Sequence, residues 1–567
     1  MILGIDLGTS NSLAAAYIDG EPVIIKSRTG NKKIPSVVYI DETNVLYTGD
    51  VAKERRYTDE KDTAAAFKRT IGHSDTYKLR DKEYTSEELS ALVLKSIKED
   101  AAVFLGEEIK DVVISVPAFF TNVQKKSVIN AGKLAGLNVK KIINEPTAAA
   151  IAYGINNQQN ESKVILVLDL GGGTFDISVM EVNGNVMEVV AICGDNHLGG
   201  EDFTKRIIEL FLKENGIEEK DAMNDHAELY HMAERAKYEI TNDKISHMKC
   251  TIAGKEYKYS LDEKTYEEKT VDLLEKIRKL TLQAIDESKY EPHEINDIIM
   301  VGGGTKLSVV KKLVEKMLGR KYDYQINADE AVVLGAAIQG ALLENDVNIK
   351  DLVMTDICPY YIGFYNIRLS SYDQIDKFKV VIPKNSVIPK KVVIEDDRPT
   401  GDRQQVIFQS EDSLGINKTI LACIEYVIPH TKTGKSDVTM TYVYDNNGIL
   451  DVEIFVHESK KTYKTIHIGD NSEMSEKEAE KHIEELRSIL LSPYEQEENV
   501  LALAKAERVY AEITGNEREY LGAEISRFES ALKTQNVDIA DEARERLLKV
   551  IEMYDADTVF SLGGNEK

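Results

Sequence analysis

The chain has 567 residues, of which 42% are hydrophobic and 30% are charged, so it can build two or more domains with large cores and is too apolar to be disordered. Its formal net charge of −26 repels nucleic-acid phosphates and anionic lipid head groups, which excludes both as expected partners. The four cysteines form no CxxC pair, which argues against a zinc site and a disulfide framework. No basic leader precedes the first apolar run and no run is long enough to cross a bilayer, so we expect a cytoplasmic protein.

Strand-like apolar runs alternate with helical stretches from the N-terminus to about residue 343. Examples are the runs 112–116 and 164–168, with a helical pattern over 124–134 between them. This alternation predicts an α/β domain with buried central strands. Within it, residues 5–9 and 168–174 echo each other, since each ends an apolar strand with Asp and continues with glycine and a hydroxyl residue. The echo predicts a duplicated fold with two facing lobes.

The pattern changes after a short segment, residues 351–356, that is bounded by acids. Residues 357–470 are rich in Val, Ile, Thr and Tyr and predict an antiparallel β domain with hairpin turns. A capping box, Ser475 to Glu478, opens a helical region that Pro493 and Gly515 divide into helices able to pack as a hairpin or small bundle. The predicted bounds are 1–348 for the α/β domain, 349–356 for a linker, 357–470 for the β domain, 471–560 for the helical region and 561–567 for a disordered tail.

Two glycine-hydroxyl turns are the first candidate site. Residues 8–11 and 171–174 each supply glycine, which lets backbone amides approach a phosphate closely, and a hydroxyl that can donate a hydrogen bond. Asp6 and Asp169 precede the two turns, where paired carboxylates can hold a hydrated Mg²⁺. One such turn alone is explained as well by an ordinary turn with a capping Asp. Two copies, with Asp176 just beyond the second, favour a phosphate site.

Three further elements fit the same picture, although each has a structural alternative. Glu145 could orient an attacking water or complement a helix dipole. The glycines of residues 302–306 could admit a flat base or only form a turn. Glu234 and Lys237 share a helix face and could bind ribose hydroxyls or form an exposed ion pair.

Five motifs make the chain resemble the DnaK-type, 70-kDa heat-shock chaperones over nearly its whole length. They are GIDLGTSNS at 4–12, IINEPTAAAIAYG at 142–154, DLGGGTFD at 169–176, HLGGED at 197–202 and VGGGT at 301–305. Actin and the sugar kinases share the two phosphate turns but not the other blocks. The resemblance implies an actin-like, two-lobed ATPase domain, a β-sandwich that binds peptide and a short α-helical lid. The implied function is an ATP-dependent chaperone, a slow ATP hydrolase that binds and releases extended hydrophobic segments of unfolded clients.

The resemblance also implies roles for individual residues. The catalytic residues would be Lys68, Glu145, Asp169, Thr174 and Asp176. Mg²⁺ would be held by Asp6, Asp169 and, through water, Glu145, with K⁺ as a further ion. ATP or ADP would contact Asp6, Gly8, Thr9, Ser10, Asn11, Gly171, Gly172, Gly173, Gly199, Gly200, Glu234, Lys237, Thr241, Gly302, Gly303, Lys306 and Asp329.

The resemblance extends to the peptide site and its coupling to ATP. Peptide would contact Phe364, Ile367, Val406 and Phe408, for which ordinary β-core packing is an equal alternative. Coupling would involve Pro117, Lys125, Lys141, Leu352, Val353 and Asp356, with ATP docking the linker and opening the lid. The expected partners are a J-domain co-chaperone and a nucleotide-exchange factor.

Some positions depart from the family pattern. Lys306, Lys125 and Lys141 each stand where an arginine is usual, and a lysine stacks and pairs less well than a planar guanidinium. The lobe between Lys68 and Pro117 is trimmed and the helical region is short, features of the HscC-like branch. Two other functions remain open, a small-molecule kinase and a chaperone-like holding protein with little hydrolysis. The β domain argues against the kinase, and the intact catalytic set argues against the holding protein.

Overall fold

The computed structural model describes residues 1–156, 162–319, 327–346, 352–368, 378–464, 466–467, 497–513, 515–532 and 537–555. The first strands are β1 (Ile2–Asp6), β2 (Asn11–Ile18), β3 (Glu21–Ile25), β4 (Ile34–Pro35), β5 (Val37–Ile40), β6 (Leu46–Thr48), β7 (Thr63–Ala65), β8 (Thr76–Leu79), β9 (Lys82–Thr85), β10 (Asp111–Val116), β11 (Asn138–Asn144), β12 (Ser162–Leu170), β13 (Phe175–Asn183), β14 (Val186–Asp195), β15 (Ile245–Ile252), β16 (Lys255–Asp262), β17 (Asp297–Val301) and β18 (Val353–Ile357). The later strands are β19 (Tyr361–Arg368), β20 (Lys379–Ile382), β21 (Val387–Ile388), β22 (Lys390–Pro399), β23 (Gly401–Ser410), β24 (Lys418–Ile428), β25 (Lys435–Tyr444), β26 (Leu450–Val456), β27 (Lys461–Lys464) and β28 (Ile466–His467).

The helices are α1 (Asp50–Thr58), α2 (Ser86–Leu105), α3 (Asn122–Leu134), α4 (Glu145–Asn156), α5 (Gly200–Glu214), α6 (His226–Asp243), α7 (Glu263–Lys269), α8 (Val271–Ser288), α9 (Ser308–Leu318), α10 (Ala331–Leu343), α11 (Glu497–Glu512), α12 (Asn516–Leu532) and α13 (Val537–Tyr554). Local sequence explains where several begin. The Thr121 side chain accepts a hydrogen bond from the Gln124 amide in a capping box, so α3 starts at residue 122. In the described part of the chain, none of the helices combines the length and the apolar character that crossing a membrane requires.

Two sheets of like topology form the core of the N-terminal part. One has the strand order β11-β10-β1-β2-β3, and the other has β17-β12-β13-β14 followed by β18 and β21. In each, an antiparallel meander (β1 to β3, β12 to β14) is joined by a parallel strand beside its first member (β10, β17). We call the part built on the first sheet lobe I and the part built on the second lobe II. The duplicated two-lobed fold is confirmed.

Helices α4 and α10 pack together between the two sheets. Their close approach depends on glycine, because a Cβ on Gly335 would lie 1.8 Å from the carbonyl oxygen of Ala148. On the opposite side of α10, a Cβ on Gly4 of β1 would lie 2.3 Å from the amide nitrogen of Ala337. Glycine at these two positions therefore allows β1, α4 and α10 to pack closely against one another.

The β domain is a sandwich of two antiparallel sheets. Strands β20-β19-β23-β24-β28 form one and β22-β25-β26-β27 the other, as predicted. Residues 445–448 form the predicted hairpin turn between β25 and β26, with the Gly448 amide donating to the Asp445 carbonyl. The turn at 399–401 instead carries the chain from one sheet to the other, because β22 pairs with β25 and β23 with β19 and β24.

The linker is a strand in its second half. Val353 to Thr355 of β18 run parallel to β14 of lobe II, and the Val353 amide donates to the Asn185 carbonyl at 2.9 Å. The next residues pair with β21 of the β domain, so β18 joins the two domains within one sheet. Residues 349–351 of the predicted linker lie outside the described residues.

Helices α11, α12 and α13 form the predicted small bundle around Val509, Leu521, Phe528 and Leu547. The bundle packs with α11 against α1 of lobe I. Where the sequence predicts a lid over peptide, the structure has these helices docked on the N-terminal domain. The predicted capping box, Pro493 and the tail 561–567 lie outside the described residues.

Candidate nucleotide site and domain contacts

A cavity between the two lobes collects most of the predicted nucleotide residues. Both lobes contribute to its lining: Asp6, Gly8, Thr9, Ser10, Asn11, Lys68, Glu145, Asp169, Gly171, Gly172, Thr174, Gly200, Glu234, Lys237, Thr241, Gly302, Gly303, Lys306 and Asp329. The predicted Gly173, Gly199 and Asp176 lie just behind this surface. Many of these residues are far apart in the chain and meet here because they follow strands of the twin sheets (β1, β11, β12, β14 and β17), whereas Lys68 follows β7 and Glu234, Lys237 and Thr241 come from α6.

The two glycine-hydroxyl turns face each other across the cavity. A Cβ on Gly172 would lie 2.1 Å from Ser10 Oγ, so the turns can approach this closely only with glycine there. Gly199 supports the second turn from behind, where a Cβ would meet the Gly172 carbonyl at 2.4 Å. Helix α5 begins at Gly200, whose amide donates to the Gly171 carbonyl at 2.9 Å. Close backbone and a helix N-terminus together suit an anionic phosphate chain.

Buried carboxylates crowd the centre of the site. Burial first, and then the Glu145 carboxylate, raise the pKa of Asp6 to about 6. The same two causes raise the pKa of Asp176 to about 8 and hold that of Asp169 well above its ordinary value. Asp176 receives the Phe119 amide at 3.0 Å on Oδ1, whereas its buried Oδ2 has no hydrogen-bond partner in the structure. Such an excess of negative charge favours a bound cation.

Lys68 supplies an ammonium group to this cluster of carboxylates. It lies in a short 3-10 turn, Phe67–Thr70, and its Nζ donates to Glu145 Oε1 at 2.7 Å, with the lysine side chain 4% exposed. Glu145 is the first residue of α4, directly after β11. The lobe I turn and the start of α4 therefore place a fixed positive charge and a carboxylate at the same end of the cavity.

The residues predicted to bind the nucleoside line the cavity from α6 and from the turn after β17. Lys237 contacts Glu234 and donates to Thr204 at 2.8 Å, so the predicted pair is a buried one. Lys306 contacts Asp329 beside Gly302, which adopts φ +81°. The structure shows that these residues share one cavity. The stacking and ribose-binding roles expected of them remain predictions.

Sequence reasoning missed three contributors. Lys33 donates to Asp329 at 2.6 Å from the opposite lobe, and no local pattern marks it. Arg69 joins the lobes by donating to Asp202 at 2.6 Å and to the Gly173 carbonyl at 3.3 Å. Glu201 lines the cavity next to Ser10. Glu201 lies within the family motif at 197–202, and Arg69 directly follows the predicted catalytic Lys68, which were the available signals.

Asp6 and Asp169, the residues predicted to hold Mg²⁺, both line this cavity. Among the residues that the structure describes, no group of three or more His, Cys, Asp or Glu side chains is arranged to hold a metal ion. Mg²⁺ commonly keeps several of its waters and binds through one or two carboxylates plus phosphate oxygens. The buried carboxylates fit an ion of that kind, held largely through water.

The predicted coupling residues meet at the junction of the domains. Asp356 accepts a hydrogen bond from Asn144 at 2.6 Å. Burial lowers the pKa of Lys125 and of Lys141, and the Asp356 carboxylate opposes this shift in both. Lys125, in α3 a few residues beyond Pro117, reaches the 445–448 turn of the β domain, where a Cβ on Gly448 would lie 2.5 Å from its Nζ. The described structure thus brings both lysines to Asp356.

The two linker residues have different environments. Leu352 packs against the core that runs through lobe II and the β sandwich, together with Met354. Val353 faces outward and is 52% exposed. Strand alternation explains why Val353 differs from Met354, since neighbouring residues of β18 point to opposite sides, and Leu352 directly precedes this strand. Residues 352–354 thus contact lobe II as expected, through the backbone alone at Val353, and their role in coupling stays a prediction.

The four predicted peptide residues do not share a face. Val406 pairs with Tyr365 and Phe408 with Gly363 across β19 and β23, whereas Phe364 pairs with Ile407 on the other side of the sheet. Phe364 stacks on Tyr442 inside the sandwich at 5.9 Å and is 1% exposed, which makes it a core residue. Ile367 occupies a register position on the side of Val406 and Phe408, opposite Gln404, and its side chain lies outside the described residues.

These features define a class: a two-lobed, actin-like ATPase domain with a glycine-cradled phosphate site, joined through a strand to a β sandwich and a helical bundle. The family model described as "Hsp70 protein" matches residues 2–558. The chain is 34% identical to a "Chaperone protein DnaK" of Thermosipho melanesiensis over 570 residues, covering 97% of this chain and 94% of the relative. It is also 34% identical to one of Thermosipho africanus over 536 residues, covering 92% and 88%.

The chain belongs to the Hsp70 family. It is an ATP-dependent molecular chaperone and an ATPase, as the sequence predicts. The small-molecule kinase and the holding protein with little hydrolysis are therefore set aside. The narrower likeness to the HscC-like branch stays a prediction.

Proposed function

We propose that the chain hydrolyses ATP in the cavity between its lobes and uses strand β18 to transmit the nucleotide state to the peptide site of the β sandwich. The domain bounds that we propose are the predicted ones: 1–348, 349–356, 357–470, 471–560 and the tail 561–567. The docked strand and bundle support the view that the structure corresponds to the ATP-like, open arrangement. Hydrolysis would release β18 and let the helices close over bound peptide.

The proposed chemistry is phosphoryl transfer to water by positioning and charge neutralisation. The two glycine turns and the start of α5 hold the phosphate chain. Lys68 carries positive charge to the terminal phosphate, and Glu145, which it positions, accepts a hydrogen bond from the attacking water. A Mg²⁺ ion that arrives with the nucleotide would neutralise phosphate charge beside Asp6 and Asp169, and K⁺ is a second candidate ion there.

The peptide site that we propose lies on the sheet face of Val406 and Phe408. The Tyr365 ring meets Phe408 edge-on at 5.0 Å on this face, and the Lys418 ammonium lies 4.9 Å from the Tyr365 ring. Phe364 is left out of this site because it fills the sandwich core. An apolar, partly aromatic face suits the extended hydrophobic clients of the family.

The partners and compartment that we propose follow from the family. Unfolded polypeptides are the clients, a J-domain protein stimulates hydrolysis at the junction near Lys141, and an exchange factor opens the lobes. A cytoplasmic location is consistent with the acidic composition and with the DnaK relatives.

One observation carries the proposed coupling: β18 is hydrogen-bonded to lobe II while Asp356 at its end contacts Asn144 of lobe I. A strand that bonds both lobes and the sandwich can exist in docked and released states, and a nucleotide that binds one state better shifts their balance.

The test is a single-turnover ATPase measurement with and without an extended apolar peptide. The unaltered chain should hydrolyse ATP faster with peptide present. Leu352→Asp places a charge where Leu352 packs, so the response to peptide should disappear. Val353→Asp is the matched control, because this side chain already faces solvent. A response that survives in Leu352→Asp would contradict the coupling role of β18.

A further inference from the structure

The C-terminal bundle contacts both lobes at the entrance to the nucleotide cavity. On the side of lobe I, Arg508 of α11 donates to Glu54 of α1 at 2.6 Å. On the side of lobe II, Glu512, one turn further along α11, pairs with Nδ1 of His231 on α6 at 3.3 Å. One helix therefore bridges the two lobes, and it does so from outside the ATPase domain.

The contact with lobe I is an anchor of buried charges. The Arg508 side chain is 4% exposed and pairs with Asp555 at 2.8 Å as well as with Glu54. At the other end of α11, Glu497 pairs with Arg28 at 3.0 Å, again between nearly buried side chains. Because breaking such pairs leaves uncompensated buried charge, α11 is held on lobe I along its whole length.

The contact with lobe II adds a link across the cleft. The His231 ring packs at a tilt against the Tyr57 ring of α1, with ring centroids 4.5 Å apart. The Arg508 guanidinium lies 6.0 Å from the same Tyr57 ring. Lobe I, lobe II and α11 thus meet at one cluster. Tyr57 and His231 line a second cavity of about 570 Å³ that shares Glu234 and Lys306 with the nucleotide cavity.

The position of His231 on its helix gives this cluster a consequence for nucleotide. His231 precedes Glu234 by three residues and Lys237 by six, so all three project from neighbouring turns of α6. A force that holds His231 therefore holds the helix that carries the nucleoside-binding pair. Separation of the lobes at this cleft requires α6 to move away from α1.

We propose that Glu512 and His231 are positioning residues that clasp lobe II to the docked helix α11, so that the C-terminal bundle slows the escape of nucleotide from the cleft. This inference rests on the proposed nucleotide site. The bundle thereby acts on the ATPase end of the molecule as well as on the peptide end. Two contacts between the lobes, Arg56 with the Tyr230 ring at 4.3 Å and His226 with Glu60 at 2.9 Å, do not involve α11, so the clasp adds to an existing closure.

The test is the dissociation rate of a radiolabelled, non-hydrolysable ATP analogue from the full-length chain, chased with unlabelled ATP and followed by rapid filtration. Glu512→Ala should raise the rate by about threefold to tenfold, the range expected for one partly buried ion pair. Glu512→Gln keeps an acceptor for His231 and should lie nearer to the unaltered chain. The matched control is Glu507→Ala, since Glu507 is an acid of the same helix that contacts Arg55 of lobe I.

A double-mutant cycle separates the clasp from general loosening of α11. The effect of Glu512→Ala combined with His231→Ala should be smaller than the sum of the two single effects, because both variants remove the shared link, although Glu512 also contacts Arg508 and His231 also contacts Tyr57. Single-turnover hydrolysis should change by less than about twofold, since the phosphate end is untouched. Unchanged release in Glu512→Ala, or additive effects in the double variant, would overturn the clasp. Absence of saturable nucleotide binding in the unaltered chain would instead overturn the nucleotide site.

Discussion

Lys68 is the residue on which the electrostatics of the site depend most directly. Its ammonium group lies against Glu145, and the carboxylates of Asp6, Asp169 and Asp176 complete the cluster. Burial makes each carboxylate harder to ionise, and every neighbouring carboxylate adds to the effect. A single fixed cation therefore opposes the rise in the pKa of these carboxylates, and in the proposed mechanism it also presents charge to the terminal phosphate.

Lys68→Ala should lower the single-turnover rate of hydrolysis by about 10²–10³-fold, the usual effect of removing one preorganised group that stabilises the transition state. ATP should still bind, because the glycine turns and the nucleoside end of the cavity are unchanged. Hydrolysis is measured by single-turnover chemistry and binding by calorimetry on the same variant.

Lys68→Arg is the control for this change, since it keeps the charge but alters its geometry. It should retain more activity than the alanine variant. If Lys68→Ala hydrolysed ATP at the normal rate, the assigned role of Lys68 would be wrong.

At the scale of elements, α1 and α6 form the rim of the cleft. They face each other from opposite lobes, and they are linked by the Arg56 contact with Tyr230 and by the tilted ring contact of Tyr57 with His231. Just beyond α1, Glu60 pairs with His226, the first residue of α6. A short row of contacts between two helices therefore holds this rim closed, in addition to the Lys33 and Arg69 contacts between the lobes.

The pair of His226 and Glu60 makes this rim sensitive to pH. The hydrogen bond that His226 donates to Glu60 raises the pKa of His226 above its ordinary value of 6.5. A raised folded-state pKa means that the contact is fully present below pH 6.5 and is lost as pH rises through the folded-state value. Nucleotide release should therefore become faster as pH rises from 6 to 8, by about twofold to threefold, because the pair is half exposed.

His226→Gln is the check on this interpretation. The variant cannot titrate at this position, so the same release measurement should show a flatter pH profile than that of the unaltered chain. An identical profile in both proteins would assign the pH dependence to another group.

At the scale of the whole molecule, the C-terminal bundle and the β sandwich both contact the ATPase domain. Lys384 of the sandwich pairs with Glu287 of lobe II at 2.7 Å, and Tyr360 donates to the Phe119 carbonyl at 2.5 Å. The bundle is held by Arg508 and its carboxylates. The docked arrangement of the domains is therefore stabilised by its own buried polar contacts, which join the sandwich and the bundle to the ATPase domain.

Arg508→Ala should undock the bundle in the presence of ATP. It leaves Glu54 and Asp555 buried without their cation, a loss of about 3–5 kcal/mol from the docked state. Energy transfer between dyes on α1 and α13 reports the separation directly. Arg527→Ala, which removes an exposed arginine of α12, is the control and should leave the distance unchanged. Unchanged energy transfer in Arg508→Ala would contradict the anchoring role of this residue.

Local pattern alone determined the class of each part of this protein. Residues 5–9 and 168–174 predict the twin lobes because a phosphate turn needs glycine and a hydroxyl at set positions after a strand. The hairpin at 445–448 and the helix beginning after Thr121 follow from turn and capping chemistry in the same way. These features depend on residues that are neighbours in the chain, so the local sequence is enough to predict them.

Only the tertiary structure decided which faces meet. Strand register buries Phe364 in the sandwich core and leaves the Val353 side chain in solvent, whereas the next residue along each strand points to the other side of its sheet. Lys33, which reaches Asp329 across the cleft, and Glu512, which reaches His231, carry no local signal because their partners are distant in the chain. Contacts of this kind arise when separately folded units pack, and the geometry of that packing is not written in any short stretch of sequence.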